Sequence, residues 1–365
     1  MTPTGTLQTV SRRDFLKTTA ASLGGALAPR VFVPHLAHAA RHQIVVCSWG
    51  GSYQDSQREA FFKPFEKETG IRVVDTSQPD VAKMKAMVDS GNVEWDVVTT
   101  GLATVYQLQA QGDYFHPLDY NMIDPKALNG VHASQRDRYG LGTIYYSMNI
   151  SFRTDVYPKG KHPRSMPEFW DVKKFPGGRT LANVSGLFMT LEHGLLADGV
   201  PFDKIYPIDI DRAFASLDRV KPQVVKWWSP GALPIQMLAD KEVNLAIAYS
   251  GRIQKIREEG VSVDLEWNHG TISSDFWVIP RGTKNFEGAM KFVAFCMRPD
   301  RQAHLTRLIH YGPTNQDAFQ FIPAERAALL PSAPQNFEKM LLADVKWWAQ
   351  HRPEVIKRFD AWILK

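Results

Sequence analysis

Small polar and aromatic residues follow several short apolar runs of the sequence, in places suited to binding a small molecule. The runs 43–49, 95–100 and 243–249 are rich in β-branched and aromatic residues, and each is followed directly by glycine-containing segments. In sheets with helices on both faces, small ligands bind beyond the carboxyl ends of the strands. The segments after these runs are therefore predicted to meet in one ligand site.

Motifs for covalent or metal-dependent catalysis are missing from the sequence. It contains neither a Gly-x-Ser-x-Gly nucleophile elbow nor a Gly-x-x-x-x-Gly-Lys phosphate loop. Cys47 and Cys296 lie in apolar runs, and their separation does not match the paired spacing of a zinc site. We expect two buried free thiols, with a disulfide as the alternative. The sequence predicts no metal and no cofactor.

The first 39 residues have the order of features that is typical of a twin-arginine export signal. Ser11-Arg12-Arg13-Asp14-Phe15-Leu16-Lys17 is followed by a weakly apolar stretch at 18–28 and by Ala37-His38-Ala39, a signal-peptidase site. The apolar stretch is shorter than the roughly 20 residues that span a bilayer. We expect residues 1–39 to be removed and the protein to reach the periplasm already folded.

Removal of this segment changes the charge of the protein. The whole chain carries a formal charge of +5, and four basic residues against one acid give the segment 1–39 a net +3. The mature chain is then close to neutral, and its basic residues are scattered rather than gathered on one face. Nucleic-acid binding, which requires a clustered basic surface, is not expected.

The length of the chain predicts two lobes. About 325 residues remain after the signal, which is more than one hydrophobic core usually serves. Short strands alternate with helices, which predicts an α/β protein with a largely parallel sheet. The extended run 139–153 is interpreted as one crossing between the lobes and residues 271–275 as the return. The predicted boundaries are 40–143 with 272–312 for the first lobe and 144–271 with 313–365 for the second.

Several longer stretches resemble one known family. Ser48-Trp49-Gly50-Gly51-Ser52-Tyr53 with the run 58–71, Trp95-Asp96-Val97-Val98, His116-Pro117-Leu118-Asp119, the run 169–177 and the run 275–280 are similar to extracellular solute-binding proteins. The branch resembled contains the spermidine- and putrescine-binding proteins of ABC importers. The resemblance covers residues 42–320. It implies a type II periplasmic binding protein fold with two α/β lobes and a hinge, and delivery of a ligand to an ABC permease of the inner membrane.

The resemblance also implies a set of ligand-binding residues. Trp49 and Tyr53 of the first lobe and Tyr249 of the second would form aromatic walls, because ring faces attract amines. Asp275 matches the acid that pairs with an amino group in polyamine binders. The remaining positions implied are Gly50, Thr100, Gly101 and the rim residue Tyr311.

One position departs from the polyamine binders that the sequence resembles. They have an aspartate after Tyr-Ser-Gly, whereas this sequence has Arg252, and Ser185 lies where they usually offer a carboxylate. Arginine is a bidentate partner for a carboxylate. The ligand is therefore predicted to be polyamine-like or, with Arg252 at an acid and Asp275 at an amine, a zwitterion. Alternatively, Arg252 points outward or pairs with Glu258 or Glu259.

Other aromatic groups have more than one interpretation. Trp227-Trp228 and Trp347-Trp348 are predicted to pack in the core, with stacking of Trp228 on the ligand as the alternative. The tail 337–365 is interpreted as two closing helices, the second beginning near Pro353. The predicted protein is a monomeric periplasmic receptor that is not an enzyme. A ligand-sensing receptor and a transferase-type enzyme on the same fold are the alternatives.

Overall fold

The computed structural model describes residues 43–158, 160–184 and 189–365. The predicted export signal at 1–39 and the predicted ligand residue Ser185 lie outside these ranges. Within them, no helix has both the length and the apolar composition that crossing a bilayer would require.

The described residues contain nine strands that belong to a single sheet. The strands are β1 (Gln43–Ser48), β2 (Arg72–Ser77), β3 (Val97–Thr100), β4 (Gly140–Arg153), β5 (Arg179–Ala182), β6 (Val224–Trp228), β7 (Leu245–Tyr249), β8 (Val263–Val278) and β9 (Met340–Leu342).

The sheet consists of two parallel halves joined by a central antiparallel pair. Its order is β2-β1-β3-β8-β4-β7-β5-β6, and β9 pairs with β8. In one half β1 runs parallel to β2 and β3, and in the other β5 runs parallel to β6 and β7. The last residue of β3 pairs with Phe276 and the last residue of β7 pairs with Met148. The carboxyl ends of both halves therefore point toward the middle of the central pair β4 and β8.

Helices follow most of the strands. They are α1 (Gly51–Gln57), α2 (Lys63–Thr69), α3 (Val81–Asp89), α4 (Leu102–Gln109), α5 (Pro125–Asn129), α6 (Met166–Trp170), α7 (Thr190–Ala197), α8 (Ile210–Val220), α9 (Leu233–Ala239), α10 (Ser250–Glu258), α11 (Phe286–Cys296), α12 (Pro299–Leu308), α13 (Ala324–Ala327), α14 (Pro334–Phe337) and α15 (Val345–Ile363). A π-helical turn, Arg58–Phe62, joins α1 to α2 without a break.

Side chains of each strand point alternately to the two faces of the sheet, so each face has its own hydrophobic clusters. On β8, Trp277 packs in a cluster with Phe61 and Phe292, whereas Phe276 and Val278 belong to a cluster on the opposite face. Successive side chains of a strand point to opposite faces, so one strand serves both clusters. The other half of the sheet has two further clusters, one of which includes aromatic residues of α15.

The C-terminal segment touches both halves of the sheet. Residues 316–321 pack against α12, and α15 contacts α4 near the start of both helices. The remainder of α15 packs against the second half through Phe359 and Trp362. The C-terminal segment therefore packs against both halves of the sheet. The predicted lobe boundaries stay a prediction.

The predicted helical and extended elements are largely present, but three differ. Residues 271–275, predicted as the return crossing between the lobes, lie inside the continuous strand β8. The first helix, which the sequence pattern predicts over 57–69, begins instead at Gly51, after Gly50 turns the chain with a φ of 70°. The tail is the single helix α15 with Pro353 inside it, so the prediction of two helices is wrong. Trp348 and Val355, on either side of the proline, pack in the same cluster, which stabilises the helix across it.

Both cysteines are free and buried, as expected. Burial raises the pKa of Cys47 to about 12 and also raises the pKa of Cys296. A thiol with a raised pKa is a poor nucleophile at neutral pH, which agrees with a structural role for both residues.

Candidate functional site

A cleft of about 600 Å³ lies where the carboxyl ends of the two halves of the sheet meet. Every predicted ligand residue among the described residues lines this cleft, and Ser185 lies outside the described ranges. The lining residues are Trp49, Gly50, Gly51, Tyr53, Gln78, Pro79, Asp80, Val81, Thr100, Gly101, Thr104, Ile144, Tyr146, Met189, Ser229, Pro230, Gly231, Ala232, Tyr249, Arg252, Asp275, Tyr311 and Arg352.

The turn after β1 presents the aromatic wall of the first half. The backbone of Gly50 has a φ of 70°, in the left-handed region that residues other than glycine rarely adopt. The Gln54 side chain stabilises this turn by accepting a hydrogen bond from the Gly50 backbone N–H at 2.9 Å. Trp49 is consequently left 44% exposed at the cleft, and Tyr53, on the first turn of α1, is buried beside it.

Asp275 is the buried acid of the cleft. It lies on β8 opposite Ile144 of β4 and is 7% exposed. Burial raises its pKa to about 7, against the smaller opposing effect of Trp49. An ammonium group that entered the cleft would favour the ionised carboxylate.

The start of α10 brings Arg252 into the cleft from the second half. Its guanidinium lies over the ring of Tyr249, with 5.9 Å from Cζ to the ring centroid. A Cβ added at Gly231 would lie 2.7 Å from the Tyr249 ring and 3.9 Å from Arg252 Cζ. The glycine therefore permits the loop after β6 to pass close over both side chains.

The alternative interpretations of Arg252 are not found in the structure. Glu258 pairs with Arg326 at 2.7 Å, and Glu259 pairs with Lys255 at 3.2 Å. Arg252 forms no ion pair with any described residue, and its buried Nε has no hydrogen-bond partner among them. A cation whose Nε donor is unpaired among the described residues thus lines the cleft, next to Tyr311.

Tyrosine rings connect the two halves around the acid and the arginine. Tyr311 packs edge-on against Tyr53 at 5.4 Å, and Tyr146 packs in the same way against Tyr249 at 5.7 Å. Burial raises the pKa of Tyr311, and the neighbouring Arg252 acts in the opposite direction. These hydroxyls remain protonated at neutral pH and can donate hydrogen bonds.

Several lining residues were not predicted from the sequence. The loops 78–81 and 229–232 follow β2 and β6, so the rule that placed the other loops at strand ends also covers them. Tyr146 faces the cleft because alternate residues of β4 point to opposite sides, and its neighbour Tyr145 packs against Phe337 instead. Arg352 comes from α15, and no local pattern in the sequence indicates that position.

Two tryptophans that are predicted to pack in the core lie outside the cleft. Trp228 is fully buried behind Tyr249, at 6.0 Å between the rings, so the stacking alternative is wrong. Trp348 donates a hydrogen bond from Nε1 to the buried carboxylate of Glu192 at 2.6 Å. Both tryptophans pack in the core. No group of three or more potential metal ligands is found in the ranges that the structure describes.

Comparison with known proteins agrees with this architecture. The family model of bacterial extracellular solute-binding proteins matches residues 60–335. A gamma-aminobutyric acid-binding protein of Pseudomonas aeruginosa is 36% identical over 336 residues, which cover 90% of this chain and 93% of the relative. A spermidine/putrescine-binding periplasmic protein of Escherichia coli is 25% identical over 274 residues, covering 72% and 76% of the two chains.

A solved structure shares the fold over nearly its whole length. The Atu4243-GABA receptor is 36% identical, with a TM-score of 0.80, and the match covers 88% of this chain and 97% of that one. The expected type II periplasmic binding fold, with two α/β lobes and a hinge, is therefore confirmed. These relatives are solute-binding proteins and not enzymes, which removes the transferase alternative. The chain belongs to the family of bacterial extracellular solute-binding proteins and is a periplasmic solute-binding protein of the ABC transporter type.

Proposed function

We propose that the protein binds a zwitterionic ω-amino acid such as gamma-aminobutyric acid and delivers it to an ABC permease. Arg252 would bind the carboxylate of the ligand and Asp275 would bind its ammonium group. The observation that carries the proposal is that one cleft contains a buried acid and an arginine without an acidic partner among the described residues. The gamma-aminobutyric acid-binding relative supports the same ligand class.

The electrostatics of the cleft favour a zwitterion over a diamine. A diamine would bring an ammonium group against the Arg252 guanidinium in a site with little water, and unpaired charges are costly there. A carboxylate would instead accept two parallel hydrogen bonds from the guanidinium. Arg352 lines the same cleft and adds a second positive charge.

Aromatic rings complete the proposed site. Trp49 and Tyr53 from the first half and Tyr249 from the second would enclose the methylene chain of the ligand and exclude water. The backbone at Thr100 and Gly101, between β3 and α4, would supply polar contacts. Tyr311 would close the rim. The proposed ligand residues are thus the ones predicted from the sequence, with Tyr146 and Arg352 added.

Binding is proposed to close a hinge between the lobes. Contacts from both lobes to one ligand stabilise the closed state relative to the open state, and a permease can then select the closed form. The central strands β4 and β8 pair with both parallel halves, so they are the place where the chain can bend. We retain lobe boundaries of 40–143 with 272–312 and 144–271 with 313–365.

Isothermal titration calorimetry with three variants tests the ligand class. We expect the wild-type protein to bind gamma-aminobutyric acid more tightly than putrescine. Arg252→Ala should weaken the binding of gamma-aminobutyric acid by at least about 30-fold, since loss of one partner of a buried charge pair costs about 2 to 5 kcal/mol. Arg252→Asp should shift the preference toward putrescine.

Lys255→Ala is the matched control for Arg252→Ala. It changes the net charge by the same amount on the same helix, but Lys255 pairs with Glu259 outside the cleft. The affinity of the Lys255→Ala variant for gamma-aminobutyric acid should equal that of the wild-type protein. Micromolar binding of putrescine that Arg252→Ala leaves unchanged would contradict the proposal.

The export route is also part of the proposal. Arg12 and Arg13 precede an apolar stretch and a small-x-small cleavage site, which favours the twin-arginine route for the folded, monomeric protein. Replacement of both arginines by lysine should keep the protein in the cytoplasm in a cell-fractionation assay. Unchanged periplasmic accumulation of that double variant would reject the route and leave the ligand proposal untouched.

A further inference from the structure

Behind the first-half wall of the cleft lies a group of polar side chains that are almost completely buried. Each is 2% exposed or less, and each has a side-chain nitrogen or oxygen that meets the distance and angle of a hydrogen bond with no described residue, although the Tyr53 and Thr143 hydroxyls lie close enough to interact with each other. We call this group the polar layer. It consists of Ser48, Tyr53, Gln57, Thr99, Thr143 and Trp277.

The strands place three members of the polar layer side by side. Thr99 of β3 pairs in register with Trp277 of β8. On the other side, Cys47 of β1 pairs with Val98 of β3, so the next residue, Ser48, lies beside Thr99. Residues in register on neighbouring strands point to the same face. These three residues therefore form a row on one face of the sheet.

The first helix covers this row. Tyr53 and Gln57 are spaced by four residues, and so are Gln57 and Phe61, which puts all three on one helix face. The Phe61 ring contacts the Trp277 ring at 6.3 Å. At the other end, the side chain of Thr143 lowers the pKa of Tyr53 against the larger effect of burial. Gln57 is thus on the helix face that packs against Trp277 through Phe61.

So many unpaired groups are costly in a dry interior. Each buried donor or acceptor without a partner costs about 1 to 3 kcal/mol. Buried water molecules, which need 2–4 polar partners, commonly satisfy such groups. We propose that the polar layer is a buried water-binding site, in which ordered water molecules connect the Gln57 amide to Ser48, Thr99 and the Tyr53 hydroxyl.

The position of this site gives it a role in binding. Ser48 directly precedes Trp49 and Thr99 directly precedes Thr100, both of which line the cleft. Water molecules shared among these groups would fix the cleft wall from behind. Apart from Tyr53, which also lines the cleft, the polar layer lies behind the cleft wall, and its test uses the unliganded protein, so a wrong ligand assignment would leave the inference and its test unaffected.

The sign of a stability change separates a hydrated layer from a dry one. Gln57→Leu preserves the approximate volume of the side chain and removes both polar atoms. If the layer is hydrated, the buried water molecules lose their hydrogen bonds to the Gln57 amide in this variant. The melting temperature of the unliganded protein should then fall by about 2 °C or more. In a dry layer the variant removes two unsatisfied atoms, and the melting temperature should rise, which would overturn the proposal.

Gln54→Leu is the control for the size of the effect. Gln54 lies on the same helix, is equally buried, and already bonds to protein groups, including the Gly50 N–H and the Thr76 carbonyl. This variant should lower the melting temperature whether or not the polar layer is hydrated.

Magnetic relaxation dispersion of the wild-type protein supplies a second measurement that requires no variant to fold. It detects internal water molecules with long residence times, and a crystal structure at about 1.5 Å would show their positions. Water bonded to the Gln57 amide supports the proposal. An interior without water at Gln57 overturns it.

Discussion

The chemical state of Asp275 links ligand binding to pH. Burial raises its pKa to about 7, so near neutral pH the empty cleft contains a mixture of the acid and the carboxylate. An ammonium ligand favours the carboxylate, and below the pKa binding must displace a proton. The tyrosines around Asp275 have raised pKa values and do not titrate in this range.

We therefore expect the affinity for gamma-aminobutyric acid to fall by about tenfold per pH unit below pH 7 and to level off above it. Calorimetry between pH 5 and 8 in buffers of different ionisation enthalpy would measure the slope and the protons released. Asp275→Asn should bind weakly with no such slope. A wild-type affinity that is constant from pH 5 to 7 would show that Asp275 does not face the ammonium group.

Trp49 differs from the other cleft residues because it is exposed. Its side chain is 44% accessible, so it contributes little to the core of the unliganded protein. Trp49→Ala should weaken ligand binding by tens of fold, through loss of the aromatic wall, and leave the melting temperature nearly unchanged. Thermal melts and titrations of one preparation test both parts.

A control exists for the loss of exposed apolar surface alone. Val225 on β6 is 57% exposed and does not line the cleft, so Val225→Ala should change neither quantity. If Trp49→Ala lowers the melting temperature and binds ligand normally, the ring belongs to the fold and not to the site.

At the scale of elements, a buried acid connects α7 to α15. Glu192 accepts hydrogen bonds from Tyr206 at 2.5 Å and from Trp348 at 2.6 Å, and burial raises its pKa to about 7. The folded protein therefore binds a proton at this site between roughly pH 4.5 and 7, where the unfolded chain does not. By linkage, this group alone makes stability decrease as pH rises through that interval.

Glu192→Gln should remove that contribution. Between pH 5 and 6, the free energy of unfolding of the variant should rise with pH by about 1.4 kcal/mol per unit more steeply than that of the wild type. Urea titrations at several pH values would measure both slopes. Parallel slopes would mean that Glu192 remains ionised inside the fold.

Elements defined by local patterns could be predicted from the sequence, and those defined by tertiary contacts could not. The helix α8 (Ile210–Val220) can be predicted from the sequence because its apolar spacing is regular and Asp209 caps it. The continuous strand β8 was missed because His269 and Gly270 interrupt its apolar pattern, while pairing with β4 and β9 maintains the strand. Pro353 likewise suggested a break that packing on both sides overrides.

At the scale of the whole molecule, the cleft residues also divide into those that local sequence patterns predict and those that depend on tertiary contacts. Trp49, Tyr53 and Arg252 could be placed because they stand at strand ends or in stretches that resemble the family. Arg352 could not, because it reaches the cleft from α15, far along the chain. Cleft residues could thus be predicted where the local sequence determines their position.

Closure of the two lobes should change the dimensions of the protein. Small-angle X-ray scattering of the mature protein should show a smaller radius of gyration with gamma-aminobutyric acid than without it, because ligand contacts from both lobes favour the closed state. The Arg252→Ala variant should need a higher ligand concentration for the same change. A radius of gyration that is independent of ligand at saturation would exclude hinge closure.

The position of β8 in the sheet has a consequence for the way in which the chain acquires its structure. This strand pairs with β3 on one side and β4 on the other, yet it ends at Val278, late in the sequence. While the ribosome is still adding the first 270 residues, β3 and much of β4 have an unpaired edge. The two halves of the sheet cannot be joined through β8 until this late strand has been synthesised, so the complete sheet depends on the C-terminal third of the chain. Mutations that weaken β8 should therefore reduce the yield of exported protein more than they reduce the stability of molecules that have already folded.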